Sequence, residues 1–145
     1  MQTFLNSGNV IFQSPARNAA QLAAKLALEL EPLLGFKSDA FVRTASAVQT
    51  IARRAQVLQK SSAGAHEVNV CFLAAPLTAP QTAALMALQS GNDRFVSEGS
   101  EVYWICAVKQ SESVFSNALF ERKLKTRTTL RRVSMLQGLA ARLQS

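Results

Sequence analysis

The sequence predicts an α+β protein, on two observations. The spacing of its apolar residues switches repeatedly between a period of two and one of about 3.6, and Gly, Asn and Ser punctuate the switches. A chain of 145 residues with 48% hydrophobic content is enough for one compact domain or two small ones sharing a core, and it is not the composition of a disordered chain. No apolar run approaches the roughly 18 residues of a membrane span, and residues 1–12 lack the basic start and apolar middle of a signal peptide. A cytoplasmic protein making no membrane contact is therefore expected.

A β-hairpin begins at the first residue. Met1–Leu5 and Val10–Phe12 flank the turn Asn6-Ser7-Gly8-Asn9, in which Gly8 can take a positive φ. Asn18 and Gln21 stand in capping-box relation, and Leu22, Leu26, Leu30 and Leu33 recur at helical spacing until Gly35. Ala40–Arg43 reads as a short strand, and Thr44 caps a helix carrying Val48, Ile51, Ala55 and Leu58 on one face. Lys60–Ala65, rich in Ser, Ala and Gly, is a linker by composition.

Beyond it Val68, Val70 and Phe72 alternate with Asn69, Cys71 and Leu73, the pattern of an interior strand with contacts on both faces. Thr78 and Gln81 form a second capping-box pair with Pro80 in the first turn, Leu85 and Leu88 turn inward, and Gly91-Asn92 ends that helix. Arg94–Glu98 and Val102–Val108 are strands joined at Gly99-Ser100. A helix over Val114–Leu124, capped by Ser113, shows Phe115, Leu119 and Phe120. A short strand is expected at Thr126–Thr128 and a closing helix at Thr129–Leu143, with Val133, Leu136, Ala140 and Leu143 inward.

Residues 67–128 thus follow the ferredoxin-like βαββαβ order, and the first part follows the same order without its opening βα. The expected architecture is two ferredoxin-like halves, an incomplete one over residues 1–60 and a complete one over 66–145 ending in a C-terminal helix. The strand order of such a sheet, 4-1-3-2, makes the first strand central. The incomplete half then leaves edges that a second copy of the chain can fill, so a homo-oligomer is an expected partner.

The hairpin FLNSGNVIF, the segment SVFSNALFERKLK and the Thr/Arg-rich entry to the last helix resemble the bacterial family called domain of unknown function 1697. The resemblance extends over essentially the whole chain, with the hairpin its most specific part and Asn117-Ala118-Leu119 with Glu121-Arg122-Lys123-Leu124 the next. It implies the two-half architecture and no chemistry, since the family has no established activity. It also implies a preceding strand, Gly-containing loop and helix, making Met1 an apparent truncation. This sequence has Glu112 and Val114 where the family tends to be basic, and Thr128-Thr129-Leu130-Arg131 where the family tends to have an Arg-Asn-aromatic-Asn run.

Charge is unevenly placed. Residues 109–145 hold eight basic side chains against Glu112 and Glu121, leaving +6 of the +7 net charge after residue 108. Arg122, Lys123, Lys125, Arg127, Arg131 and Arg132 are the candidate polyanion contacts; a solvated helix face explains the same charges. Asn6, Ser7, Gly8 and Asn9 offer polar groups and backbone N–H donors to a ligand, although turn chemistry accounts for them and the lysine of a phosphate loop is missing. Ser113 and Asn117 are candidate ligand contacts at a polar helix start. In Tyr103-Trp104 at least one ring must pack inward. His66 stands alone, and Cys71 and Cys106 lack the spacing of a metal site, so no metal, cofactor or catalytic residue is expected and both thiols are expected free. The leading function is a non-enzymatic binding module of unknown ligand, the alternative a nucleic-acid-associated protein, and the third an enzyme acting on an unknown small molecule.

Overall fold

The structure is a computed structural model that describes residues 2–4, 9–11, 21–26, 28, 41–61, 67–90, 93–107 and 116–144. The chain divides into two compact units, Met1–Thr44 and Ala45–Ser145. In the first, β1 (Gln2–Phe4) and β2 (Asn9–Ile11) pair antiparallel with Thr3 opposite Val10, the hairpin that the apolar flanks of the turn predict. Residues 21–26 form helix α1, as Leu22 and Leu26 require; Asn18, Leu30 and Leu33 lie outside the described residues. The strand expected at Ala40–Arg43 is corrected: residues 41–44 carry no strand and run directly into helix α2 (Ala45–Ser61). Phe41 and Val42 have strand propensity, but a strand also needs a ladder, and residues 41–43 form none.

α2 buries Val48, Ile51, Ala52, Ala55 and Leu58 at helical spacing. These side chains belong to the second unit, where α2 packs on β3 (Glu67–Phe72) and on α5 (Val133–Gln144). The division by packing thus falls ahead of the Ser/Ala/Gly stretch that composition marks.

Between β3 and α5 come α3 (Ala79–Met86), β4 (Asp93–Glu98), β5 (Glu101–Cys106), α4 (Asn117–Leu124) and β6 (Thr129–Arg132). The four strands form one sheet in the order β4-β5-β3-β6, every pair antiparallel. Counted from β3 as the first strand, the order from β6 to β4 is 4-1-3-2. Cys71, Leu73, Val102, Trp104, Cys106 and Phe95 form one buried cluster with Leu85 of α3 and with Phe120 and Leu124 of α4. Val68, Val70, Tyr103 and Ile105 alternate with these residues along β3 and β5 and so line the opposite face, which α2 and α5 cover. Cover on both faces is why β3 and β5 are buried along nearly their whole length and why both Tyr103 and Trp104 are buried.

Local chemistry sets the element ends. The Thr78/Gln81 capping box forms in both directions, and Gln81 Nε2 also donates to Leu124 O at 3.0 Å, tying the start of α3 to the end of α4. Gly99 takes φ +56° in the two-residue β4–β5 turn. Two expected boundaries move. The cap of α4 is Ser116, whose hydroxyl accepts from Leu119 N at 3.1 Å, so the described helix starts at Asn117; Ser113 lies outside the described residues. The last strand occupies Thr129–Arg132, not Thr126–Thr128, and the closing helix starts at Val133, not Thr129. Thr128 anchors that shift: its hydroxyl donates to Phe72 O at 2.8 Å and its N–H to Glu121 Oε2 at 2.9 Å, and the ladder with β3 begins at the next residue.

Phe120 is fully buried and joins α4 to the sheet. Phe120→Ala is expected to destabilise the protein by about 3–5 kcal/mol, through lost transfer energy and the cavity left behind. Urea unfolding should register this as a lower midpoint at unchanged slope.

Candidate functional site

The residues singled out from sequence are distributed unevenly. Asn9 lies in β2 opposite Phe4 in the first unit, whereas Asn6, Ser7, Gly8 and Ser113 lie outside the described residues. Asn117 is the first residue of α4. Arg122 and Lys123 are exposed in the last turn of that helix, Lys125 is exposed at its C-cap with φ 54° and ψ 44°, and Arg127 is exposed in the connection to β6. Arg132 is exposed at the end of β6. Among the described residues, Arg122, Lys123, Lys125 and Arg132 have no acidic partner. The neighbouring carboxylate, Glu121, is taken by Thr128 N.

Arg131 is of a different kind. It is half-buried opposite Val70, donates from Nη1 to Thr129 Oγ1 and to Leu130 O at 2.8 Å each, and burial pushes its guanidinium pKa down. Its charge is used within the fold. Phe120 is in the core, so it offers no ring for a base to stack on; Phe115 lies outside the described residues.

Sequence reasoning missed the polar groups inside the α3/α4 face. Asp93, 1% exposed, accepts from Trp104 Nε1 at 2.8 Å and from Cys106 Sγ at 3.7 Å through Oδ1, and from Ser90 Oγ at 3.4 Å through Oδ2. Its own N–H donates to Ser90 Oγ at 3.1 Å. The carboxylate therefore ties the start of β4 to β5. Asn69 is fully buried on β3, and neither amide atom has a hydrogen-bond partner. The available signal was polarity: Asn69 is the one polar residue in the apolar run Val68–Leu73.

Both thiols lie inside the sheet. Cys71 pairs in register with Val102 and Cys106 with Glu67, four residues apart along adjacent strands, and both thiols are free and buried. Burial pushes the Cys71 thiol up to about 12. Tyr103 is also pushed up to about 12, first by burial and then by Glu101 and Glu98, while Arg54 of α2 opposes the shift. Arg54 Nε lies 3.0 and 3.1 Å from the two Glu98 oxygens and Nη2 lies 2.7 Å from Oε2, an exposed pair linking α2 to β4. Among the described residues no group of three or more His, Cys, Asp or Glu side chains is arranged to hold a metal ion, and no helix is long and apolar enough to cross a membrane.

Fold and site together define an α+β protein: a four-stranded antiparallel sheet clad by helices on both faces, with Asp93 engaged inside and, among the described residues, Arg122, Lys123 and Lys125 exposed at the end of α4. Residues 1–103 match the family described as Protein of unknown function (DUF1697), and the chain belongs to that family. The match ends within β5, ahead of α4, β6 and their basic residues. The searches of curated proteins and of solved structures found no match.

The buried thiol and phenol set an alkaline limit on stability. Cys71 ordinarily titrates at 9.0 and Tyr103 at 10.0, and each rises to about 12 in the folded state. The unfolded chain therefore ionises first, so the contribution of these groups is fully present below pH 9 and is lost as pH rises toward 12. The urea midpoint should fall progressively above pH 9, and Cys71→Val should flatten the part of the fall that begins there. At pH 8 a thiol reagent should label Cys71 and Cys106 far more slowly in the native protein than in urea.

Proposed function

We propose that the protein is a non-enzymatic binding module whose contact surface is the basic ridge of Arg122, Lys123 and Lys125, continued by Arg127, and whose partner is a polyanion. The observation that carries this reading is three exposed cations without acidic partners among the described residues, gathered at one helix end that is tied down by the Gln81–Leu124 and Glu121–Thr128 hydrogen bonds. Cations held on a fixed element attract phosphates or sulfates with little further ordering cost. Arg122 and Lys123 also complement the negative end of the α4 dipole, which accounts for some of the charge but not for Lys125 and Arg127.

Nucleic acid is the second reading, supported by the +6 charge of residues 109–145. Contact with phosphates and no reading of bases is the mode that fits, because Phe120 is in the core. An enzyme acting on a small molecule has less support, since Asp93 and Cys106 are engaged with one another and Cys71 stays protonated. A cytoplasmic location belongs to the same proposal and is supported by two free buried thiols.

The test is a salt titration of binding to heparin and to unrelated duplex DNA, comparing the parent with Arg122→Gln/Lys123→Gln/Lys125→Gln. The triple variant should unfold at the parent's temperature and bind more weakly. Its log K against log salt should be shallower by about 0.9 for each duplex phosphate that the variant no longer neutralises. Parent-like affinity and slope in the variant would remove the ridge as the contact surface.

A further inference from the structure

A strand at the edge of a sheet carries a row of backbone N–H and C=O groups with no ladder to enter, and β4 is such an edge. Register identifies the groups. Ser100 O accepts from Leu73 N at 2.9 Å, so Ser100 and, by alternation, Val102, Trp104 and Cys106 turn their backbone groups toward β3. Glu101, Tyr103 and Ile105 are left to face β4, where they use Glu98, Val96 and Arg94. Asp93, Phe95 and Ser97 therefore point outward.

The segment after α3 fills half of this row. Ser90 N donates to Asp93 O at 2.9 Å, Ser90 Oγ accepts from Asp93 N at 3.1 Å, and Gln89 Oε1 accepts from Phe95 N at 3.1 Å. The Ser90–Asp93 contacts span three residues, as a local turn requires. The contact from Gln89 spans six, and its side-chain carbonyl stands where a neighbouring strand would present a backbone carbonyl. Gln89 is exposed, and its main chain is fixed to the end of α3: Leu88 N donates to Leu85 O at 2.9 Å and Gln89 N to Met86 O at 3.2 Å. Ser97 has no such cover among the described residues.

β4 is self-complementary along this row. Strands of two copies related by a two-fold axis run antiparallel, and an axis at Val96 sets each Arg94 opposite the partner's Glu98. An axis at Phe95 or at Ser97 would set Arg94 against Val96 or Ser100 and lose that pairing. With the axis at Val96, Phe95 faces the partner's Ser97, so outward groups meet outward groups: Phe95 N donates to one Ser97 O, and Ser97 N to one Phe95 O. That ladder needs Phe95 N, which Gln89 holds. Glu98 is presented at this edge by its exposed pair with Arg54.

We propose that Gln89 is a plug on the β4 edge, and that what it excludes is β4 of a second copy of this chain. Gln89 Oε1 serves Phe95 N in place of the partner's Ser97 O, so the plug and the docked copy are mutually exclusive. Swinging the exposed amide aside opens the edge. The device uses none of the cations of α4, so it stands or falls apart from the polyanion reading.

Amide exchange of the full chain tests the plug, and sedimentation tests the occupant. In the parent, Phe95 N–H should be protected like Val96 N–H, which β5 holds, whereas Ser97 N–H should exchange far faster. Gln89→Leu removes the acceptor at an exposed position and should speed Phe95 exchange about tenfold, the worth of one hydrogen bond. With rising concentration the same variant should form a species of twice the parent's mass that salt dissociates. Gln89→Glu keeps an acceptor and should stay at the parent's mass. Adding Arg94→Glu to Gln89→Leu should abolish the doubled species, because like charges then face each other across the axis. Phe95 exchanging as fast as Ser97 in the parent, a Gln89→Leu variant that keeps the parent's mass, or a doubled species that survives Arg94→Glu would each overturn the proposal.

Discussion

β3 must satisfy four neighbours at once: β5 along one edge, β6 along the other, and a helix pair against each face. Its backbone donors and acceptors go into two ladders, and its side chains alternate between two apolar environments. Most other features of the second unit follow from this placement. β6 needs only four residues because it is templated by β3, and α5 starts where that template ends. α2 lies with this unit because Val68 and Val70 need cover on the face opposite Cys71.

The elements legible from sequence are those whose signal is local. The Thr78/Gln81 pair caps α3 in both directions, Gly99 makes the β4–β5 turn with positive φ, and the Val68–Leu73 alternation gives β3. The misplaced ones depend on distant partners. Thr126–Thr128 and Thr129–Arg132 have comparable strand propensity, and what chooses between them is the Thr128 hydroxyl on Phe72 O, far away in sequence. Residues 41–43 look like a strand to any propensity scale and lack a ladder. The same division holds for the sites. Clustered charge was visible as composition, but the engagement of Arg131 and the carboxylate network of Asp93 require the fold to exist first.

The interior polar groups fall into two kinds. Asp93 is surrounded by donors, from an indole, a thiol and a hydroxyl, and its charge is spread over groups that already belong to the fold. A carboxylate used in this way gains strength from the low dielectric around it. Asn69 sits in the same cluster face with no such company. The contrast is hard to attribute to packing alone, because both positions adjoin Trp104, one through its indole N–H and the other across the ladder.

The β3–β6 ladder also orders events at the ribosome. β5 gives β3 a first neighbour, but the residues that seal its other edge, Thr129–Arg132, are made only after β3, α3, β4, β5 and α4. Until then one side of an apolar strand is open to any extended chain nearby. Production of this protein should therefore be sensitive to how quickly translation passes from β5 to β6, since a stall before Arg132 holds the nascent chain with its central strand half-paired.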